Sequence, residues 1–327
     1  MISKLKEKVL HGESVTREEA IQLYPEPLEA LCAAADEIRR AFCGDGFDLC
    51  AILNAKSGRC SENCKWCAQS AFHHTQAEEY PLLSCEAMVR EAQKDAQLGI
   101  LRFSIVTSGR KLTDAEVNQL CEAIRQIRQK TPLEVCASLG LLTEDQFRRL
   151  KDAGISRIHN NLETSRRNFP NVCTTHTFEE KLDAIRAAQR AGLAICSGGI
   201  VGLGETPEDR IDLALTLREL GVCSVPVNLL NPIPGTPLAE NRILERDELR
   251  RIVAVFRFIL PQASIRLAGG RGLLGDQGRS CFQSGANAAI SGEMLTTSGI
   301  RTLTDLQILR DLGFHPQCDA ANSSDSH

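Results

Sequence analysis

Short apolar stretches with β-strand character alternate with amphipathic helical stretches through most of this 327-residue chain, and this alternation limits the fold more than any other feature. The predicted strands lie at residues 48–53, 101–106, 133–137, 155–158, 193–196, 224–229, 264–267 and 288–290. Three of the connecting helices end in an Ala-Gly or Leu-Gly signal just before a strand, at Gly154, Gly192 and Gly221. Eight such repeats fit an α/β fold of the (β/α)8 TIM-type barrel. A doubly wound sheet is the alternative, but no glycine-rich fingerprint follows the first strand.

The segments that flank this repeat have a different character. Residues 1–45 carry apolar positions at helical spacing, and Gly44 and Gly46 interrupt the pattern, so we predict an N-terminal helical extension. The barrel then spans residues 46–314. Residues 315–327 are polar, and we predict a disordered tail there.

Composition narrows the classes of partner. Aromatic residues make up 4% of the chain and the net charge is −4, so neither nucleic acid nor an anionic membrane is expected as a partner. The first residues lack the apolar segment of a signal peptide, and no apolar run approaches the ~18 residues of a membrane helix. We therefore expect a cytoplasmic protein. In that compartment, 14 cysteines indicate metal or redox chemistry rather than disulfides.

A cysteine loop follows the first predicted strand, with Cys60, Cys64 and Cys67 in C-x3-C-x2-C spacing. In a barrel this loop lies at the C-terminal face of the strands, where active sites are found. Three thiolates can hold three corners of a four-iron cube and leave the fourth iron open to a ligand. A zinc site completed by His73 or His74 is one alternative, and thiols without metal are another.

The same spacing, with Trp66 directly before the last cysteine, resembles the radical S-adenosylmethionine superfamily. The resemblance implies a 4Fe–4S cluster whose open iron binds S-adenosylmethionine. One electron from the cluster would cleave the sulfonium, and the resulting 5′-deoxyadenosyl radical would abstract hydrogen from an unactivated carbon. The cofactor supplies this chemistry, and the protein positions the reacting atoms.

Later segments resemble the biotin synthase family within that superfamily. They are residues 160–165 (NNLETS), 174–182 (TTHTFEEKL), 196–206 (CSGGIVGLGET) and 285–287 (GAN), with Asn228 and the Thr296-Thr297 pair. The resemblance implies insertion of sulfur between two saturated carbons of dethiobiotin, with one radical for each of two C–H bonds and an auxiliary iron–sulfur cluster as sulfur donor. It also implies a homodimer and an electron-donor protein such as a flavodoxin or ferredoxin. The alternatives are a different radical enzyme, such as a hydrogenase-maturase-like protein, and a non-catalytic cluster-carrying or zinc protein.

The resemblance assigns binding roles to individual residues. Glu163 would hold the ribose of S-adenosylmethionine, and the other residues expected around this cofactor are Trp66, Lys181, Ile200, Gly202 and Gly204. Dethiobiotin would be bound at its ureido ring by Asn161 and Asn228, and at its carboxylate by Thr296 and Thr297. The plainer interpretations are a strand-to-helix turn for the glycines, turn capping for the asparagines, a loop for the threonines and a solvated charge for Lys181.

The auxiliary cluster departs from the common pattern of the family, in which three cysteines and an arginine hold it. Ser104 stands where the cysteine of the second strand lies in that pattern, and serine is a poor iron ligand beside thiolates. The other three positions match as Cys136, Cys196 and Arg266. A further cysteine, Cys50, lies in the first strand, where the common pattern has serine.

The predicted strands one, three, five and seven carry Cys50, Cys136, Cys196 and Arg266, respectively. Barrel interiors pack in layers of four side chains from alternate strands, so we expect the four to form one layer around a common point. We predict that Cys50, Cys136 and Cys196 bind the auxiliary cluster, with Arg266 as a fourth ligand or a hydrogen-bond donor. The pattern resembles a minority branch with a 4Fe–5S cluster, and a rearranged 2Fe–2S cluster is the alternative. Cys50 would otherwise be a small buried apolar side chain.

Overall fold

The computed structural model describes residues 1–318. The strands in this part of the chain are β1 (Gly46–Lys56), β2 (Arg102–Thr107), β3 (Glu134–Ser138), β4 (Ile155–His159), β5 (Ala194–Cys196), β6 (Gly199–Val201), β7 (Ser224–Leu229), β8 (Ser264–Leu267), β9 (Ala288–Ser291) and β10 (His315–Pro316). Successive strands pair in parallel, and β9 pairs back to β1, so the sheet closes on itself. The structure therefore confirms the (β/α)8 barrel and excludes the doubly wound sheet.

Two details of the sheet modify this simple plan. β5 and β6 share the fifth position in the barrel, because both pair with β7, β5 through Cys196 opposite Ser224 and β6 further along. β10 lies beside the start of β1, outside the closed ring. It falls in the stretch that we assigned to the tail, so ordered pairing continues beyond residue 314. Residues 319–327 lie outside the described part of the chain.

The helices of the described residues are α1 (Ile2–Leu10), α2 (Arg17–Leu23), α3 (Leu28–Cys43), α4 (Cys85–Gln97), α5 (Asp114–Lys130), α6 (Glu144–Ala153), α7 (Phe169–Val172), α8 (Phe178–Arg190), α9 (Pro207–Glu219), α10 (Arg246–Ile259), α11 (Arg279–Phe282) and α12 (Thr302–Asp311). Five of them begin with a capping box on Thr16, Thr113, Thr143, Thr177 or Thr206. In this motif the threonine and the third helical residue satisfy each other's backbone N–H groups. The predicted stop signals are also confirmed, since Gly154, Gly192 and Gly221 all have positive φ.

The N-terminal helices pack on the outside of the barrel. α3 contacts α1 and α10, and α2 contacts α9. Ion pairs join the extension to the barrel helices between Arg17 and Asp212 at 2.6 Å and between Glu29 and Arg250 at 2.8 Å. Within residues 1–318, no helix has the length and apolar character needed to cross a membrane.

A buried ion pair anchors the segment that follows β8. Arg271, in a 3-10 turn, makes two hydrogen bonds of 2.7 Å to the carboxylate of Asp305 on α12, and both side chains are almost fully buried. Arg271→Met would leave that carboxylate buried without its guanidinium partner. We expect it to lower the free energy of unfolding by about 3–5 kcal/mol, measured by urea denaturation.

The matched control for this prediction is Arg279→Met, which removes a half-exposed ion pair with Asp311. Because solvent screens such a pair, its loss should change the free energy of unfolding by only about 0–1 kcal/mol. Equal effects of the two substitutions would contradict the assigned role of the buried pair.

Candidate active site

A single cavity of about 400 Å³ runs from the loops after the barrel strands into the barrel interior. It brings together most of the residues predicted from sequence. Those that line it are Cys60, Cys64, Trp66, Cys67, Lys181, Glu163, Ile200, Asn161, Asn228, Thr296, Thr297, Cys50, Cys136, Cys196 and Arg266. Gly202 and Gly204 lie outside this lining set. Gly202 has φ +101° and its N–H donates to the Glu205 carboxylate at 2.9 Å, which agrees with the plainer interpretation as a turn.

The cysteine loop is fixed by its own backbone. The N–H of Cys60 donates to the carbonyl of Gln69 at 2.9 Å, and the Cys60 carbonyl accepts from Ala71 at 2.8 Å. Burial raises the pKa of the Cys67 thiol to about 11. A cluster that binds thiolates would therefore displace the proton of this thiol on binding.

The zinc alternative for this loop finds no support in the described residues. Within residues 1–318, neither His73 nor His74 belongs to a group of three ligand side chains close enough to hold one ion. The three loop thiols do not form a group with ligand atoms within 4.8 Å of one another in residues 1–318, as a single ion would require. A four-iron cube separates its thiolates by the width of its core, so the wider spacing fits a cluster.

One wall of the cavity combines an apolar patch with a carboxylate. Trp66 and Ile200 pack against a small buried cluster that includes Leu203 and Leu230. Glu163 is held in a left-handed conformation, φ +70°, and its backbone carbonyl accepts from the Ile200 N–H at 2.8 Å. Its Oε2 atom is buried and has no hydrogen-bond partner among the described residues, and burial raises the pKa of this carboxyl. An unpartnered acceptor beside an apolar wall fits a ligand that carries both hydroxyl groups and an aromatic base.

The two predicted asparagines bond the backbone and also face the cavity. Asn161 Oδ1 accepts from the Gly198 N–H at 3.0 Å. Asn228 accepts from the Gly269 N–H at 2.9 Å and donates to the Gly199 carbonyl at 3.0 Å. An amide has two donor hydrogens and two acceptor lone pairs, so Asn228 retains one of each after these bonds. The backbone contacts orient the side chains, and the remaining groups can bind a ligand.

The other expected polar contacts lie nearby. Thr296 and Thr297 lie in the loop between β9 and α12, where the Thr297 carbonyl accepts from the Met294 N–H at 3.2 Å. Lys181, on α8, donates to Asn160 Oδ1 at 3.1 Å. Its side chain lines the cavity, which differs from the solvated charge of the plainer interpretation.

The predicted inner layer lies deeper in the same cavity. Cys50, Cys136, Cys196 and Arg266 lie on β1, β3, β5 and β8, which are the first, third, fifth and seventh positions of the barrel. All four are at least nine-tenths buried. Ser104, on β2, is buried as well and lies opposite Cys136 in the strand register.

Buried charge surrounds these cysteines, and sequence reasoning missed most of it. The Asp48 carboxylate lies 3.0 Å from Arg102 Nε through one oxygen and 3.0 Å from Arg266 Nη2 through the other. Arg102 also donates to Cys136 Sγ at 3.5 Å. Arg157 also lines this part of the cavity and is buried. Burial raises the pKa of the Cys50 and Cys136 thiols, while the nearby guanidinium groups oppose that rise. Arginines packed around thiols favour bound anions, such as thiolates and an iron–sulfur cluster.

His159 is a further residue that sequence reasoning missed. Its Nδ1 atom lies 3.4 Å from Cys196 Sγ, and the Cys196 thiol also bonds Ser224 Oγ at 3.3 Å. Burial lowers the pKa of His159 to about 4, so the imidazole is neutral at neutral pH. His159 is the last residue of β4 and lies two residues before Asn161, and this proximity in sequence was the available signal.

The fold and the cysteine loop define a class of enzyme that comparison with known families confirms. A family model described as the radical SAM superfamily matches residues 55–217, and one described as the biotin and thiamin synthesis associated domain matches residues 226–315. This chain is a radical S-adenosylmethionine enzyme. Biotin synthase of Brachyspira hyodysenteriae is 54% identical over 96% of this chain and 94% of that protein. Biotin synthase 2 of Corynebacterium diphtheriae is 55% identical over 98% of each chain. The chain belongs to the biotin synthase family.

Solved structures share the fold at low sequence identity. Methylornithine synthase has a TM-score of 0.82 and 20% identity, covering 96% of this chain and 97% of that chain. The FeFe-hydrogenase maturase from Carboxydothermus hydrogenoformans has a TM-score of 0.82 and 21% identity, covering 99% of this chain and 81% of that chain. These likenesses show the fold alone, and the sequence relatives distinguish biotin synthase from the hydrogenase-maturase alternative.

Proposed function

We propose that this enzyme inserts sulfur between two saturated carbons of dethiobiotin with a radical site and a sulfur-donating site in one cavity. The observation that carries the proposal is the pair of cysteine sets facing that cavity, one on the loop after β1 and one inside the barrel. Two cysteine sets match a reaction that needs both hydrogen abstraction and a sulfur atom.

Cys60, Cys64 and Cys67 would hold the 4Fe–4S cluster at the mouth of the barrel. When bound, this cluster and S-adenosylmethionine supply the 5′-deoxyadenosyl radical that abstracts hydrogen from the substrate. Trp66 and Ile200 provide an apolar wall for the adenine. Glu163 would accept a hydrogen bond from the ribose through its unpartnered Oε2 atom. Lys181 would add positive charge to the same cavity and so favour the carboxylate of this ligand.

Glu163→Gln should weaken the binding of S-adenosylmethionine by about 10- to 100-fold, because a hydrogen bond to a charged group contributes about 1.5–3 kcal/mol. Anaerobic equilibrium dialysis with cluster-loaded enzyme measures this change. The difference between the two proteins should narrow as the pH falls, since burial raises the pKa of Glu163 and protonation removes its charge. The control is Glu79→Gln, at an exposed residue paired with Arg59. Unchanged affinity in Glu163→Gln would contradict the ribose contact.

The inner cysteines Cys50, Cys136 and Cys196 would hold the auxiliary cluster. Arg266 acts better as a hydrogen-bond donor than as an iron ligand. Its guanidinium already bonds the carboxylate and carbonyl of Asp48 and the carbonyl of Ala289, each at 3.0 Å. Three thiolates then leave one iron of a four-iron cluster open to an extra sulfide. We therefore favour a 4Fe–5S cluster over 2Fe–2S, and iron and sulfide counts with Mössbauer spectra distinguish them.

Asn161 and Asn228 would bond the ureido ring of dethiobiotin, and Thr296 and Thr297 would receive its carboxylate. The asparagines are oriented by strand backbone, whereas the threonines lie on a loop. This arrangement would fix the ring and allow the loop to adjust to the chain of the substrate. The reductant would be a flavodoxin or ferredoxin, and we expect a cytoplasmic homodimer.

The reaction itself tests the proposed function. Enzyme reconstituted with iron and sulfide is incubated anaerobically with S-adenosylmethionine, a reductant and dethiobiotin, and both products are measured. We expect 5′-deoxyadenosine and biotin. Absence of deoxyadenosine would overturn the radical chemistry, and deoxyadenosine without biotin would overturn the substrate.

A further inference from the structure

A second group of metal-ligand side chains adjoins the cysteine loop, and of its three members the reaction above uses only Cys64. Cys64 Sγ lies 3.7 Å from Cys173 Sγ, and Cys173 Sγ lies 3.4 Å from His176 Nδ1 and 3.8 Å from His176 Nε2. One ligand atom from each of the three residues lies within 4.8 Å of the others. Cys173 and His176 are buried, and they lie between α7 and α8.

The ligand atoms lie close enough for a single tetrahedral cation, once the Cys173 thiol turns from Nδ1 toward Nε2 of His176. With metal–sulfur bonds of about 2.3 Å and metal–nitrogen bonds of about 2.0–2.1 Å, two thiolates on one ion lie about 3.8 Å apart and a thiolate and an imidazole about 3.6 Å apart. A four-iron cube takes only one cysteine at each iron. Cys64 and Cys173, whose thiols make an S–H···S contact of 3.7 Å, are therefore close enough to share one ion but would not share one iron of the cube.

The histidine is also held as a metal ligand would be. Glu62 Oε2 lies 2.5 Å from His176 Nδ1, which leaves Nε2 available for a metal. Glu62 is itself fixed by Thr175 Oγ1 at 2.9 Å and by Arg110 at 3.3 Å. A carboxylate that orients an imidazole in this way is a common outer contact of protein metal sites.

Charge balances at this site when a divalent ion binds. Two thiolates neutralise the ion, and Arg110, which also pairs with Glu180, contacts the Glu62 carboxylate. Binding requires both cysteines as thiolates, so any proton that the pair holds is released to solvent. Thiolate and imidazole ligands select borderline-soft ions such as Zn²⁺ and Fe²⁺ over Mg²⁺ or Ca²⁺.

We propose that Cys64, Cys173 and His176 bind one Zn²⁺ or Fe²⁺ ion in the form of the enzyme that lacks the radical cluster. Cys64 is shared, so the ion and the cluster exclude each other, and cluster assembly must displace the ion. The ion would hold the cysteine loop against the segment that carries Cys173 and His176. The proposal concerns the cluster-free protein, and its failure would leave the biotin-forming reaction untouched.

Cobalt binding tests the site in the full-length chain. The background variant Cys60→Ser/Cys67→Ser cannot assemble the radical cluster, and it is prepared anaerobically without iron. Co²⁺ is titrated while the absorption of tetrahedral cobalt–thiolate is recorded, and bound metal is counted by mass spectrometry. Cobalt bound at the inner cysteines is common to all variants and cancels in the comparison.

On this background, adding Cys173→Ser should remove one bound cobalt, and Glu62→Gln should weaken that cobalt by about 10- to 100-fold. Adding His176→Cys should retain the bound cobalt with stronger thiolate absorption. This result would show that a substitution at the site does not by itself unfold the protein. The matched control is Cys121→Ser, at a buried cysteine on α5 outside the cavity, and it should change nothing. Equal cobalt number and affinity with and without Cys173 would overturn the proposal.

Discussion

Cys60→Ala should reduce the formation of both 5′-deoxyadenosine and biotin to the background of an anaerobic assay. Two thiolates on this loop cannot hold a four-iron cluster with a single open iron, so S-adenosylmethionine would have neither its binding iron nor its electron. The measurement is product quantification by chromatography, together with the iron content of the reconstituted protein. No other substitution should have a larger effect on turnover.

Cys85→Ala is the control for this experiment, because Cys85 is the first residue of α4 and lies outside the cavity lining. It should retain both products and the full iron content. Deoxyadenosine formation at the normal rate by Cys60→Ala would show that the loop does not hold the radical cluster.

The second large effect is expected at the inner layer. Cys50→Ala should abolish biotin while deoxyadenosine is still formed, because only the sulfur-donating cluster would be lost. Iron and sulfide should fall by the content of that cluster, and the signal of the radical cluster should remain. If Cys50 were only a small buried apolar side chain, alanine would fill nearly the same space and change little.

An exchange variant sharpens this test. Ser104 is buried, lines the cavity and lies opposite Cys136 in the strand register. Cys50→Ser/Ser104→Cys therefore restores the common ligand pattern of the family, and we expect it to regain an auxiliary cluster that Cys50→Ala lacks. A full auxiliary cluster in Cys50→Ala itself would show that the layer assignment is wrong.

Much of the fold could be predicted from sequence because its signals are local. The predicted strand 224–229 coincides with β7, and the threonine capping boxes and glycine stops are properties of short segments. The boundaries of a strand were less predictable where the strand pairs with a segment that is distant in sequence. β1 extends to Gly46–Lys56 because it receives β10 at one end, a contact made across the length of the chain.

The residues of the candidate site likewise divide into those with a local sequence signal and those that meet only when the chain folds. Cys60, Cys64 and Cys67 are close in sequence, so their spacing could predict a cluster site without knowledge of the fold. The arginine cluster could not be predicted, since Arg266 and Asp48 are 218 residues apart and meet only when the barrel closes. The Cys64–Cys173 contact depends likewise on the packing of two loops that are 109 residues apart.

The most direct test of the two-site enzyme is a single anaerobic turnover with labelled clusters. The clusters are assembled from isotopically heavy sulfide, and the enzyme is then transferred to buffer free of that label. We predict biotin that carries the heavy sulfur, with two deoxyadenosine molecules formed for each biotin. Biotin that carries only unlabelled sulfur would contradict a sulfur-donating cluster inside the barrel.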